Sequence, residues 1–156
     1  MIPLNLPKIA QSLDHTCGAA CFDSMFKYFK GDSPGEMYFA NELETIRLGY
    51  TPPIHIVNLA KKYGFICDMI EGAVISDFIE PLTKNEVIFV TWWDEDAGHY
   101  SLVKNLESDC ITLMDPWLAR LGLDNQMSIT EFEKRWKNRG SLMIKVRTSN
   151  QVGILS

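Results

Sequence analysis

Apolar and polar positions change rhythm halfway along the chain. Over residues 18–30, Ala20, Cys21, Met25, Phe26, Tyr28 and Phe29 recur at helical spacing, and Gly31 follows as a stop. SPGE at 33–36 predicts the start of a second helix, with Ser33 as cap, Pro34 in the first turn and Glu36 reaching back. That helix runs to about Leu48, before Gly49. TPPIHIVNLAKKYG repeats the device, with Thr51 and the prolines opening a helix and Gly64 closing it. FICDMI then predicts a short strand, and SDFIEPLTK a short helix broken at Pro81.

The second half reads as strands. EVIFVTWW (86–93) is β-rich and mostly apolar, while GHYSLVKNL (98–106) and CITLMD (110–115) alternate. The short ESD between the last two is a hairpin signal. SITE (128–131) is a capping box before the helix FEKRWKN; Gly140 ends it and SLMIKVR predicts a closing strand. Helices followed by strands predict an α+β fold, a helical half packed on an antiparallel sheet. No repeat or linker divides the chain, so residues 1–148 are expected to form a single domain, with 149–156 as a C-terminal tail.

Composition narrows the function. Hydrophobic residues make up 46% of the 156 and charged residues 22%, enough for a core. Fifteen basic residues against 20 acidic ones give a net charge of −5 with no basic run, which argues against a nucleic-acid partner. No apolar run is long enough for an integral membrane segment, and the N-terminus lacks the pattern of a secretory signal. A cytoplasmic location and free thiols are therefore expected for Cys17, Cys21, Cys67 and Cys110. Cys17 and Cys21 lie one helical turn apart, but Cys67 and Cys110 are 43 residues apart and supply no second pair for zinc. Neither a metal nor a cofactor is expected.

One cysteine stands out by position. Cys17 falls where a loop becomes a helix, facing amides without intrahelical partners and the positive end of the dipole. Such sites, especially beside an imidazolium, bring cysteine pKa values from about 8.5 to roughly 3.5–7.5, and the thiolate is the nucleophile. Gly18 lets a backbone or a substrate approach closely. The other three cysteines lie among apolar neighbours in periodic elements and read as packing.

A nucleophile needs a base and an orienting group. His15 is two residues from Cys17 and need not face it, and His55 is expected at the surface. His99 opens a strand just after Gly98, and Asp115 closes the next one before Pro116. A turn at 107–109 sets His99 opposite Asp115 and puts both side chains on one face. Gln11, shortly before the helix, is placed to donate an amide N–H to a developing oxyanion together with the Cys17 backbone N–H. Trp92, Trp93, Tyr100 or Trp117 could wall a narrow cleft, although Trp92 and Trp93 on one strand must face opposite ways.

The pattern Q-x5-CGAAC-x3-M-x2-Y-x2-G, from Gln11 to Gly31, resembles the bacteriocin-processing, double-glycine leader cysteine peptidases. The likeness extends through IHIVNLAKKYGFICDMIEG, the His99 and Asp115-Pro116 segments and ITEFEKRWKNRGSLMIKV. It implies a papain-like fold, Cys17 as nucleophile, His99 as base and then acid, Asp115 as its orienter and Gln11 as oxyanion donor. Substrate contacts are expected at Gly18, Gly98, Tyr100 and Trp117. The substrate would be a peptide or protein, with a Gly-Gly leader as one form, and a separate transporter would be a partner, because the chain ends at 156. Thr16 stands where these peptidases commonly carry an acidic residue, and Trp117 where a smaller or polar one is usual. Two other uses of the same residues stay open: a peptide-binding module without chemistry, and an acyl or peptidyl transferase.

Overall fold

The computed structural model describes residues 2–93 and 98–149. All but Ser149 of the expected tail, 149–156, lies outside the described residues. Four helices come first: α1 (Cys17–Lys30), α2 (Glu36–Glu42), α3 (Thr45–Leu48) and α4 (Pro53–Lys62). After strand β1 (Ile66–Ile70), a 3-10 turn (Ile75–Phe78) leads into α5 (Ile79–Thr83). Then follow β2 (Val87–Thr91), β3 (Tyr100–Leu106), β4 (Cys110–Met114), α6 (Pro116–Ala119), β5 (Asn125–Ser128), α7 (Ile129–Lys137) and β6 (Met143–Arg147). The strands form one antiparallel sheet in the order β1-β6-β2-β3-β4-β5. This is the α+β architecture that the change of rhythm predicts.

The core lies between the helices and the sheet. The apolar stripe of α1 packs on α2 and β3. Phe22 links the layers, with its ring 4.8 Å from Phe39 of α2 and 6.5 Å from Phe89 of β2. Ser128 caps α7 as the SITE box requires, its hydroxyl accepting the Glu131 N–H at 3.1 Å. The N-terminal segment buries Leu4 and Leu6, and its Pro7 carbonyl accepts the Ser24 hydroxyl at 2.6 Å.

Several local expectations are corrected. The helix expected to run to Leu48 breaks after Glu42, and Glu44 takes a left-handed backbone with φ 61°. The break frees the Leu43 carbonyl, which lies 2.9 Å from His55 Nδ1. Gly35, not Ser33, precedes α2. Thr51 does not cap α4; its hydroxyl pairs with that of Thr45 at 2.6 Å, and Pro53 takes the first helical position. Pro81 does not break α5. It is the third residue, in a first turn whose amides make no intrahelical bond for proline to remove. Strand β5 was not foreseen, because NQMS is short and polar; it pairs with β4 at the sheet edge.

Candidate active site

Cys17 is the first residue of α1 and is 8% exposed. Its sulfur accepts the backbone N–H of Tyr100 at 3.4 Å, so the first helix and β3 meet at this atom. Buried His99 lies just before β3, its Nε2 2.5 Å from Oδ1 of buried Asp115. The Cys17 sulfur is near enough to the same ring to help raise its pKa, and with Nε2 engaged, Nδ1 is the nitrogen left to serve the sulfur. The structure thus brings together three of the four expected catalytic residues.

The strand arithmetic needs a correction. His99 is not directly opposite Asp115. Next to the turn, Leu106 faces Ile111 and Asn105 faces Thr112. A bulge at Lys104 then shifts the register, so Val103 faces Leu113 and Leu102 faces Met114. Continuing that line, Ser101 lies opposite Asp115 and His99 is its diagonal neighbour on the same face. Without the extra residue, Leu102 would oppose Asp115 and His99 would point from the other face. The Lys104 carbonyl, turned out of the ladder, accepts the N–H of Leu4 at 2.9 Å.

Asp115 is fully engaged. Oδ1 accepts the Trp117 N–H at 2.9 Å as the cap of α6, and Oδ2 accepts Asn125 Nδ2 at 2.9 Å. Burial alone would raise its pKa; the hydrogen bond and charge of His99, helped by Asn125 and Trp117, bring it below the usual carboxylate value. Burial likewise works against the His99 imidazolium, but bonding to Asp115 and Cys17, with their negative charge, raises it to about 9. Buried Cys21 and Cys67 behave as packing thiols: burial pushes Cys21 well up and Cys67 to about 12.

Gln11 does not present a free amide to the sulfur. Its Nε2 donates to the carbonyls of Leu13 at 2.9 Å and Asp14 at 3.2 Å. The loop before Cys17 has a second anchor that the sequence reading missed. Glu36 accepts the Ser12 N–H at 2.8 Å, the Thr16 hydroxyl at 2.7 Å and the Ser12 hydroxyl. A carboxylate from α2 therefore meets Thr16 at the position just before the cysteine.

A cleft of about 420 Å³ opens beside Cys17, lined by Tyr50, Thr51, Gly98, Tyr100, Arg139 and Leu142 among others. Gly98 and Tyr100, two of the residues expected to contact substrate, line it. Gly18 and Trp117 are not among the lining residues. A Cβ on Gly18 would sit 3.0 Å from Thr51 Oγ1 and 3.1 Å from Tyr100 Cδ2, so the close approach there is to core side chains. Trp117 is covered instead by Arg120, whose guanidinium carbon is 4.0 Å from a ring centroid.

Trp92 and Trp93 both reach His99, because β2 ends at Thr91 and strand alternation stops there. Trp92 is buried and donates to Ser101 Oγ at 2.9 Å. Trp93 stacks on the His99 ring, centroids 4.1 Å apart and planes 25° from parallel. Among the described residues, no group of three or more His, Cys, Asp or Glu side chains could hold a metal ion. No helix among them is long and apolar enough to cross a membrane.

The family profile of the peptidase C39 family matches residues 5–149. No curated protein matches the chain significantly. Among solved structures, the peptidase domain of Streptococcus ComA, a bifunctional ABC transporter involved in quorum sensing, superposes with a TM-score of 0.69 at 20% identity, covering 90% of this chain and 97% of that one. A double-glycine-motif protease from an AMS/PCAT transporter, solved with its leader peptide, gives 0.71 at 17%, covering 94% and 95%. A C39-like peptidase from Bacillus anthracis gives 0.73 at 18%, covering 94% and 97%. These likenesses establish the papain-like α+β fold.

Proposed function

The chain belongs to the peptidase C39 family and is a peptidase; on that premise we propose that Cys17 is its nucleophile, with His99 and Asp115 completing a catalytic triad. The observation that carries this reading is the His99 ring held between the Cys17 sulfur and the Asp115 carboxylate. A protonated His99 beside the sulfur favours a thiolate–imidazolium pair. The thiolate attacks the scissile carbonyl, and the oxyanion forms beside the free amides at the start of α1. His99 gives its proton to the leaving amine. It then takes one from water, whose oxygen attacks the thioester carbonyl and releases the acid and the thiolate. Gln11 joins as oxyanion donor by turning one amide hydrogen from its loop carbonyls toward the substrate.

The proposed substrate is a peptide cut after a Gly-Gly pair. Support comes from the family and from the leader peptide bound by the AMS/PCAT protease. A peptide-exporting transporter is the proposed partner. The four free cysteines suit a reducing cytoplasm. The test is incubation of the purified chain with synthetic peptides carrying a Gly-Gly junction or its Ala-Ala counterpart, products being weighed by mass spectrometry. Cleavage after Gly-Gly that Cys17→Ala abolishes is expected. Equal products from wild type and Cys17→Ala overturn the nucleophile assignment; equal cutting of both junctions overturns the specificity.

A further inference from the structure

We infer that Trp93 is a positioning residue for the proposed general base: its indole face holds the His99 imidazolium in line between Cys17 and Asp115. The inference rests on the triad reading and extends it. The rings lie 4.1 Å apart and only 25° from parallel, so the imidazole lies over the π-face of the indole. That face carries the negative part of the aromatic quadrupole and attracts a cation within about 6 Å of the centroid. The indole meets the face of the imidazole while the Asp115 carboxylate meets its edge, so the histidine is held in its plane by that hydrogen bond and across its plane by the stack.

The backbone keeps the indole there. Arg139 Nε donates to the Trp93 carbonyl at 2.5 Å, and the same guanidinium lies where a Cβ on Gly98 would be, 3.2 Å away. Arg139 thus holds the residue that stacks on His99 and lies against the one that precedes it. Trp92 flanks the ring edge-on at 6.0 Å, and Trp117 meets Trp93 at 6.4 Å.

The ionisable groups facing His99 are Cys17 from α1 and Asp115 from the end of β4, with Arg139, after α7, nearest on the Gly98 side. Asp94, Glu95 and Asp96 follow Trp93 in sequence, outside the described residues. All of these stay constant when position 93 alone is changed.

The test compares wild type, Trp93→Phe and Trp93→Leu by the pH dependence of Cys17 alkylation with iodoacetate, an anionic reagent whose rate falls as the neighbouring imidazolium loses its proton. Leucine keeps apolar bulk and removes the π-face. Its alkaline midpoint is expected about 0.4–1.5 pH units below that of wild type, the range set by known cation–π strengths. Phenylalanine should recover much of the loss. Wild-type tryptophan emission should also titrate at the alkylation midpoint, and Trp93→Phe should remove that transition. Superimposable alkylation profiles for wild type and Trp93→Leu overturn the inference. Since alkylation needs no substrate, a chain that cuts no peptide yet shows these shifts would sink the peptidase mechanism and leave the Trp93–His99 pairing standing.

Discussion

Asn125 holds the oxygen of Asp115 that His99 leaves free: its Nδ2 donates to Oδ2 at 2.9 Å, while His99 occupies Oδ1. The carboxylate is pinned from both sides and cannot rotate without breaking a charge-assisted bond. Asn125→Ala is expected to lower kcat about tenfold, or ~1.4 kcal/mol, with KM nearly unchanged. Steady-state kinetics checks this; a raised KM with intact kcat would place Asn125 in substrate binding instead.

Activity should fall as pH rises through about 9, where the His99 imidazolium loses its proton. The same group contributes stability. Because its folded value lies above the ordinary 6.5, that contribution is complete below 6.5 and is lost between 6.5 and about 9. Asp115 has the opposite sign: its value lies below 3.8, so its contribution is present above 3.8 and lost as pH falls through the lowered value. Melting temperatures between pH 6.5 and 9 should decline for wild type and stay flatter for His99→Ala. Parallel curves would contradict the assignment.

Gln11→Ala is expected to lower kcat by about 10²–10³, the usual loss for one oxyanion donor. The two carbonyls that now hold its Nε2 supply the competing outcome. If the variant melts earlier but turns over at the wild-type rate, Gln11 shapes the loop and does not touch the oxyanion.

Deleting Lys104 should abolish activity in a chain that still folds, by turning His99 and Asp115 to opposite faces of the sheet. Lys104→Ala keeps the backbone count and should retain activity within about threefold, since it loses chiefly the partly buried ion pair to Asp124 at 2.7 Å. Circular dichroism and peptide cleavage separate the two. An active deletion variant would show that the register does not set the triad.

Much of this site was legible in the chain itself. Cys17 could be placed because loop-to-helix transitions follow local rules, and the small residues after it made the stripe easy to read. The face shared by His99 and Asp115 was also foreseen, but through a register that the structure does not use. Lys104 carries no mark of a bulge, as its side chain is ordinary for a strand and the cause is tertiary: a neighbouring segment takes its carbonyl. Asn125 was missed because a short polar edge strand has too little apolar periodicity to stand out. Glu36 was read as a local cap, and its partners 20 and 24 residues away lie beyond the reach of any helix-start rule.

Leu4 gives its N–H to the carbonyl that the sheet irregularity expels, and its own side chain is only 2% exposed. The first residues are therefore a wedge driven in beside the hairpin rather than a loose end. An aminopeptidase that trimmed past Leu4, or a fusion partner joined too tightly ahead of it, would withdraw that wedge. The cost would appear at the far end of the strand, as a peptidase silenced with every residue of its cleft intact.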